Sequence, residues 1–200
     1  MRITRTHATI AVLLSIECLI SCRETSPPKL PPEDRFKKVV IAEGIKDLEG
    51  ALEFDFAPDG RIYIIDLAGF LKIFDPQTKT FIKAAKFDGG EYGLIGMKLD
   101  PDFNTNAYIY LQYFIADTIK HADGLSRRIM KISRFTIQGD TLSKTTEKNY
   151  LQIPYEHECC HTGGGMDFDT EGNLYIFHRR QHRCFFLSIL PHGKSSGPVD

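Results

Sequence analysis

A strand, a polar turn and a second strand ending in Tyr-Ile recur three times along this chain, and a repeat of that kind restricts the fold more than any other feature of the sequence. The first copy is Phe54-Asp55-Phe56-Ala57-Pro58-Asp59-Gly60-Arg61-Ile62-Tyr63-Ile64. The second is Met97-Lys98-Leu99-Asp100-Pro101-Asp102-Phe103-Asn104-Thr105-Asn106-Ala107-Tyr108-Ile109. The third is Met166-Asp167-Phe168-Asp169-Thr170-Glu171-Gly172-Asn173-Leu174-Tyr175-Ile176. Alternating Phe, Tyr and Ile favour strands over helices, because branched and aromatic side chains pack well on a pleated surface. Pro58 and Pro101 stand about one propeller blade apart, since blades run roughly 40–50 residues. Further strands are expected at Phe70 to Phe74, Phe81 to Phe87, Tyr108 to Phe114, Ile129 to Ile137 and Tyr150 to Ile153. Four short strands per unit are the signature of a β-propeller, which we prefer to an antiparallel sandwich. Residues 117 to 128 and 138 to 148 are polar and read as insertions that delay the third copy. The expected fold is therefore all-β, an incomplete propeller of about three blades. Such an array exposes strand edges and an apolar blade face, so the sequence reads as the first half of a larger protein.

The N-terminus reads as a targeting segment. Arg2 and Arg5 precede an apolar run, Ala8 to Ile20, too short to span a bilayer comfortably and interrupted by Glu17. Leu19-Ile20-Ser21-Cys22 resembles a bacterial lipobox, with Cys22 the residue lipidated after cleavage; an ordinary signal peptide is the plainer alternative. The expected organisation is a lipoprotein-type signal over residues 1–22, a proline-rich flexible tether over 23–36, and a partial propeller over 37–176. That organisation implies a protein held on a membrane of the bacterial cell envelope by its lipid, facing the periplasm or the outside. With 25 basic and 26 acidic residues and a net charge of −1, nothing electrostatic points to a nucleic-acid partner. Of five cysteines, Cys18 would leave with the signal and Cys22 would carry lipid. Cys159 and Cys160 are adjacent: they form either a strained vicinal disulfide in an oxidising envelope, or two free or metal-binding thiols. No second Cys/His pair at zinc spacing occurs in residues 37–176, so no metal site is expected there.

The residues with most chemistry surround His161, which directly precedes a glycine run, Gly163 to Gly165. Glycines let a backbone pass close to a flat ligand. An imidazole on a loop held by a rigid hairpin can serve as a general base, although a loop histidine without a catalytic role fits the same residues.

Three segments resemble the soluble quinoprotein glucose/sorbosone dehydrogenase family. They are Ala57-Pro58-Asp59-Gly60-Arg61-Ile62-Tyr63, then Glu91-Tyr92-Gly93-Leu94-Ile95-Gly96-Met97-Lys98-Leu99-Asp100-Pro101-Asp102-Phe103, and Cys160-His161-Thr162-Gly163-Gly164. The likeness runs from about residue 38 to 176. It implies a six-bladed propeller using pyrroloquinoline quinone and calcium, with His161 as the catalytic base that takes the C1 hydroxyl proton of an aldose or related alcohol while hydride passes to the quinone. Glu91 matches a position where the family sets a polar side chain near the sugar; an exposed loop carboxylate is the alternative. The family's calcium ligands and cofactor-binding cations correspond to positions beyond residue 200, so this chain alone is not expected to bind cofactor, and a truncated, inactive form is expected. A non-catalytic binding or interaction propeller is the competing reading.

After Ile176 the likeness stops at Phe177-His178-Arg179-Arg180-Gln181-His182, where the family has a Gly-Asp-Asn loop whose aspartate orients the histidine. One legal codon spelling of these residues is TTC CAC CGG CGA CAA CAC, which read one nucleotide later gives Ser-Thr-Gly-Asp-Asn-Thr. Residues 177–200 therefore read as an aberrant tail, translated out of frame. On that reading the histidines and Cys184 of the tail are no zinc site, and Arg180 stands where the orienting aspartate belongs.

Overall fold

The computed structural model describes residues 35–41, 43, 48, 50–89, 92–118, 122, 127–155, 163–180 and 183–189, with residues 178–180 and 183–189 described as backbone. The chain divides into two units, Met1–Val40 and Ile41–Asp200, and every strand described lies in the second. Cys22 and the rest of the expected signal, and most of the expected tether, fall outside the described residues. No helix among the described residues is long and apolar enough to cross a membrane.

The strands form three antiparallel meanders. The first sheet joins β1 (Ala51–Phe56), β2 (Ile62–Asp66), β3 (Phe70–Asp75) and β4 (Thr80–Lys86) in that order. The second joins β5 (Leu94–Leu99), β6 (Tyr108–Ala116), β7 (Arg128–Gln138) and β8 (Thr141–Tyr155). The third holds β9 (Gly163–Phe168), β10 (Leu174–Arg180) and β11 (Arg183–Ile189). None closes on itself, and together they form a partial β-propeller. The first strands touch in sequence, β1 on β5 and β5 on β9, and β4 touches β8.

The threefold sequence repeat is a threefold structural repeat. Its turns are closed by the same pair of backbone bonds. Ala57, Asp100 and Asp169 each donate N–H across the turn, to Arg61 O at 2.8 Å, Tyr108 O at 3.0 Å and Asn173 O at 3.0 Å. Each of their carbonyls accepts from the residue three positions on, from Gly60 at 2.9 Å, Phe103 at 2.9 Å and Gly172 at 3.1 Å. The second copy is longer because it contains one helical turn, α1 (Phe103–Asn106), ended by Ala107 in the left-handed region at φ 53°.

Two cores hold the sheets together. Tyr63, Ile65, Leu71 and Ile73 of the first sheet pack against Leu94, Met97, Leu111 and Phe135 of the second. Phe114, Met130, Ile132 and Tyr155 of the second pack against Met166, Leu174 and Ile176 of the third. Burial of that much aliphatic and aromatic surface, at roughly 25 cal/mol per Å², drives the association of neighbouring sheets.

One reading of the sequence is corrected here. Residues 138–148 are no insertion: β8 runs unbroken through Thr141–Tyr155, paired to β7 with register shifts. Its polarity reflects its place as the outermost strand, whose side chains are mostly exposed. Beyond Ile176 the third sheet continues. The β10 strand continues to Arg180 and pairs with β11 from Leu174↔Ile189 to Arg180↔Arg183.

Candidate functional site

His161, Glu91, Cys159 and Cys160 lie outside the described residues, and the site is built from the chain that brackets them. Tyr92 follows Glu91 directly. Its ring meets Phe114 edge-on at 5.7 Å and Tyr155 at 6.0 Å, and Phe114 meets Tyr155 at 5.3 Å. Tyr155 ends β8 and is the last described residue before the segment that carries His161. Arg128 completes the anchor: its guanidinium donates to the Tyr92 carbonyl at 3.0 Å and lies 5.6 Å from the centre of the Tyr92 ring. Such aromatic clusters are worth about 0.5–1.5 kcal/mol per pair beyond burial. One cluster thus fixes the chain just after Glu91 and the chain just before the His161 segment.

The far side of that segment is fixed by glycine. A Cβ placed on Gly96 would lie 2.2 Å from the Gly164 carbonyl oxygen, and one placed on Gly164 would lie 2.3 Å from the Ile95 oxygen. Gly164 also has φ +135°, a backbone that side-chain-bearing residues rarely adopt. The Gly-Leu-Ile-Gly stretch of β5 and the Gly-Gly-Gly stretch of β9, about 70 residues apart, therefore dock backbone on backbone. The sequence reading assigned the run Gly163 to Gly165 to the approach of a flat ligand; at Gly164 the approach is of one strand to another, with Gly96 as its partner. Gly165 differs, since a Cβ there would have only the Phe177 Cβ near it, at 3.9 Å.

Across β1, β5 and β9 runs a polar cluster that the sequence did not reveal. The Glu53 carboxylate accepts the Met97 N–H at 2.7 Å, and Asp55 accepts the Leu99 N–H at 3.0 Å. Lys98 Nζ lies 3.4 Å from Asp55 and 3.2 Å from Asp167. Burial pushes the Glu53 carboxyl up to about 7, against the opposing pull of the Met97 amide and Lys98. Burial depresses Lys98, but Asp167 and Asp55 outweigh it and hold the ammonium above its ordinary range.

Among the described residues no group of three or more His, Cys, Asp or Glu side chains converges as a metal site. The calcium implied by the resemblance thus has no donor set among the described residues.

The sequence model of the glucose / sorbosone dehydrogenase family matches residues 48–179, a span that ends just past the hairpin of the third repeat. An oxidoreductase described as a glucose dehydrogenase, from Thermus thermophilus, superposes with a TM-score of 0.52 at 26% identity, over 66% of this chain and 38% of its own. Two further structures described as glucose dehydrogenase give TM-scores of 0.48 and 0.49 at 21% and 22% identity, over 64% and 66% of this chain and 40% and 38% of theirs. The chain thus spans about two fifths of the length of these solved proteins. No curated protein matches it.

Proposed function

The chain belongs to the glucose / sorbosone dehydrogenase family, and on that footing we propose that it carries the base-bearing part of a sugar-oxidising site. His161 takes the proton from the C1 hydroxyl of an aldose or related alcohol, and Glu91 holds the sugar by hydrogen bonding. Loss of the hydroxyl proton is what allows the C1 hydride to leave. Pyrroloquinoline quinone, when bound, supplies the electron sink for that hydride. The observation that carries this reading is the double anchorage of the His161 segment. Tyr155 ties its start to the residue after Glu91, and Gly164 ties its end to Gly96. The chain flanking both motifs is thereby held together, and a general base needs a fixed scaffold of that kind.

We further propose that these 200 residues are catalytically silent on their own and are anchored to the bacterial envelope through Cys22. Support for silence comes from the open edges of the three sheets, none of which closes on itself.

The test is dye-linked oxidation of a panel of aldoses and polyols by the 200-residue chain, with pyrroloquinoline quinone and calcium added. No turnover above the His161→Ala variant is expected. Turnover that His161→Ala abolishes would overturn the silence while supporting the chemistry. Turnover that survives His161→Ala would overturn the role of His161.

A further inference from the structure

The junction between neighbouring sheets uses the same positions of the repeat each time. Strand register sets Asp55 opposite Tyr63, Lys98 opposite Tyr110 and Asp167 opposite Tyr175. It sets Phe54 opposite Ile64, Met97 opposite Leu111 and Met166 opposite Ile176. It likewise sets Phe56 opposite Ile62, Leu99 opposite Ile109 and Phe168 opposite Leu174. Residues paired across strands share a face, and successive residues alternate between faces. Each sheet therefore has one face that carries the tyrosine and an opposite face that carries two apolar side chains of its first strand.

Inside the chain, the tyrosine face of one sheet is covered by the apolar face of the next. At the first junction Tyr63 is buried and meets Phe103 edge-on at 5.3 Å, while Met97 and Leu99 are buried with it. Asp55, opposite Tyr63, accepts the Leu99 N–H at 3.0 Å. At the second junction Tyr110 is buried and meets Phe168 edge-on at 5.2 Å, with Met166 buried in the same cluster.

The first and third sheets expose the two halves of this junction. Phe54 and Phe56 hold the positions of Met97 and Leu99, yet they are 60% and 57% exposed. Their rings touch each other at 5.6 Å, and Ile62 and Ile64 of β2 continue the same apolar face. Tyr175 is 37% exposed, although its counterparts Tyr63 and Tyr110 are buried. Its hydroxyl is set as that of Tyr110 is: Tyr175 hydrogen-bonds the Asp169 side chain, and Tyr110 donates to Asp100 at 3.1 Å.

We propose that the apolar face of the first sheet takes the tyrosine face of the third sheet from a second copy of this chain, Phe56 against Tyr175, and that two copies close head to tail into one ring of sheets. The second copy is the occupant because its third sheet presents the face that such an apolar surface covers at both junctions within the chain. The two contacts of the ring are the same pair of surfaces, related by a two-fold axis. Two copies of three sheets make six, within the about 4–8 on which propellers close. A head-to-tail contact that does not close grows instead into a filament. The ring uses neither His161 nor Glu91, so its failure would leave the proposed function untouched.

The experiment is the mass of the 200-residue chain in solution by light scattering and sedimentation velocity. Twice the mass of one chain is expected; a monomer, or an open series of larger species, would overturn the ring. Phe56→Glu and Tyr175→Lys each change a side chain exposed in the single chain, so circular dichroism should show the strands intact, and each variant alone should be monomeric. Mixing the two should restore a dimer, because one junction is then unaltered and the other sets Glu against Lys. A dimer that survives either single variant uses another surface and would overturn the proposal. So would a mixture that stays monomeric.

Discussion

Replacement of Gly96 by alanine isolates the backbone docking on which the site geometry depends. The added methyl would sit 2.2 Å from the Gly164 carbonyl oxygen and 3.1 Å from Gln112 Cβ. A comfortable C···O contact is about 3.3–3.6 Å, so β5 and β9 must part by roughly 1 Å, and neither obstacle is the end of a flexible side chain. Overpacking of this kind costs about 1–3 kcal/mol, and parting the strands also weakens the core shared by the second and third sheets. A total of about 3 kcal/mol is expected for Gly96→Ala. Gly139→Ala is the control: that glycine has φ +62° and nothing within 4 Å of a new Cβ, so only the left-handed backbone opposes it, at about 1 kcal/mol. At roughly 2–4 °C per kcal/mol for a chain of this size, Gly96→Ala should lower Tm by about 6–12 °C and Gly139→Ala by about 2–4 °C. Thermal unfolding followed by circular dichroism measures both. Hydrogen exchange should show the Gly96→Ala damage concentrated in β5 and β9. A Gly96→Ala variant no less stable than Gly139→Ala would refute the docking.

Two more substitutions probe the interior of the first sheet. Lys72 and Asp66 form an ion pair at 2.6 Å, with side-chain exposures of 3% and 0%, and Asp66 also accepts the Phe70 N–H at 2.9 Å. Asp66→Ala should cost about 3–5 kcal/mol in urea unfolding, because it strands a buried ammonium, and Asp66→Ala with Lys72→Met should recover much of that loss; a cost below 1 kcal/mol for the single variant would show that Lys72 finds another counter-charge. Tyr63 is fully buried, its hydroxyl meets no hydrogen-bond partner among the described residues, and burial pushes its pKa up to about 12. Tyr63→Phe should therefore be neutral or stabilise by up to about 1 kcal/mol, and a loss larger than 1 kcal/mol would reveal a partner for the hydroxyl.

The propeller was legible because its repeat is local. The Pro-Asp-Gly, Asp-Pro-Asp-Phe and Asp-Thr-Glu-Gly-Asn turns each close on their own backbone within a few residues, so their sequence carries their structure. What was misread depends on position in the sheet. The start of β8 looked like an insertion because an outermost strand can be polar and remain a strand. In β1 the alternation is clear, yet burial runs against the usual sense: Glu53 and Asp55 bind β5, while Phe54 and Phe56 are 60% and 57% exposed. A period of two identifies two faces but does not say which one meets a neighbouring sheet. The site was legible only as motifs. That Tyr92 meets Tyr155, or that Gly96 meets Gly164, is a contact between segments more than 60 residues apart, and no local pattern encodes it.

An experimental structure that locates the His161 segment would test the central claim most directly. With both ends of that segment anchored beside the Glu91 connection, the imidazole of His161 and the carboxylate of Glu91 should lie on the same side of the β5–β9 seam, close enough to contact one hexose. A His161 ring turned away from that seam, or separated from Glu91 by the body of the second sheet, would contradict the account.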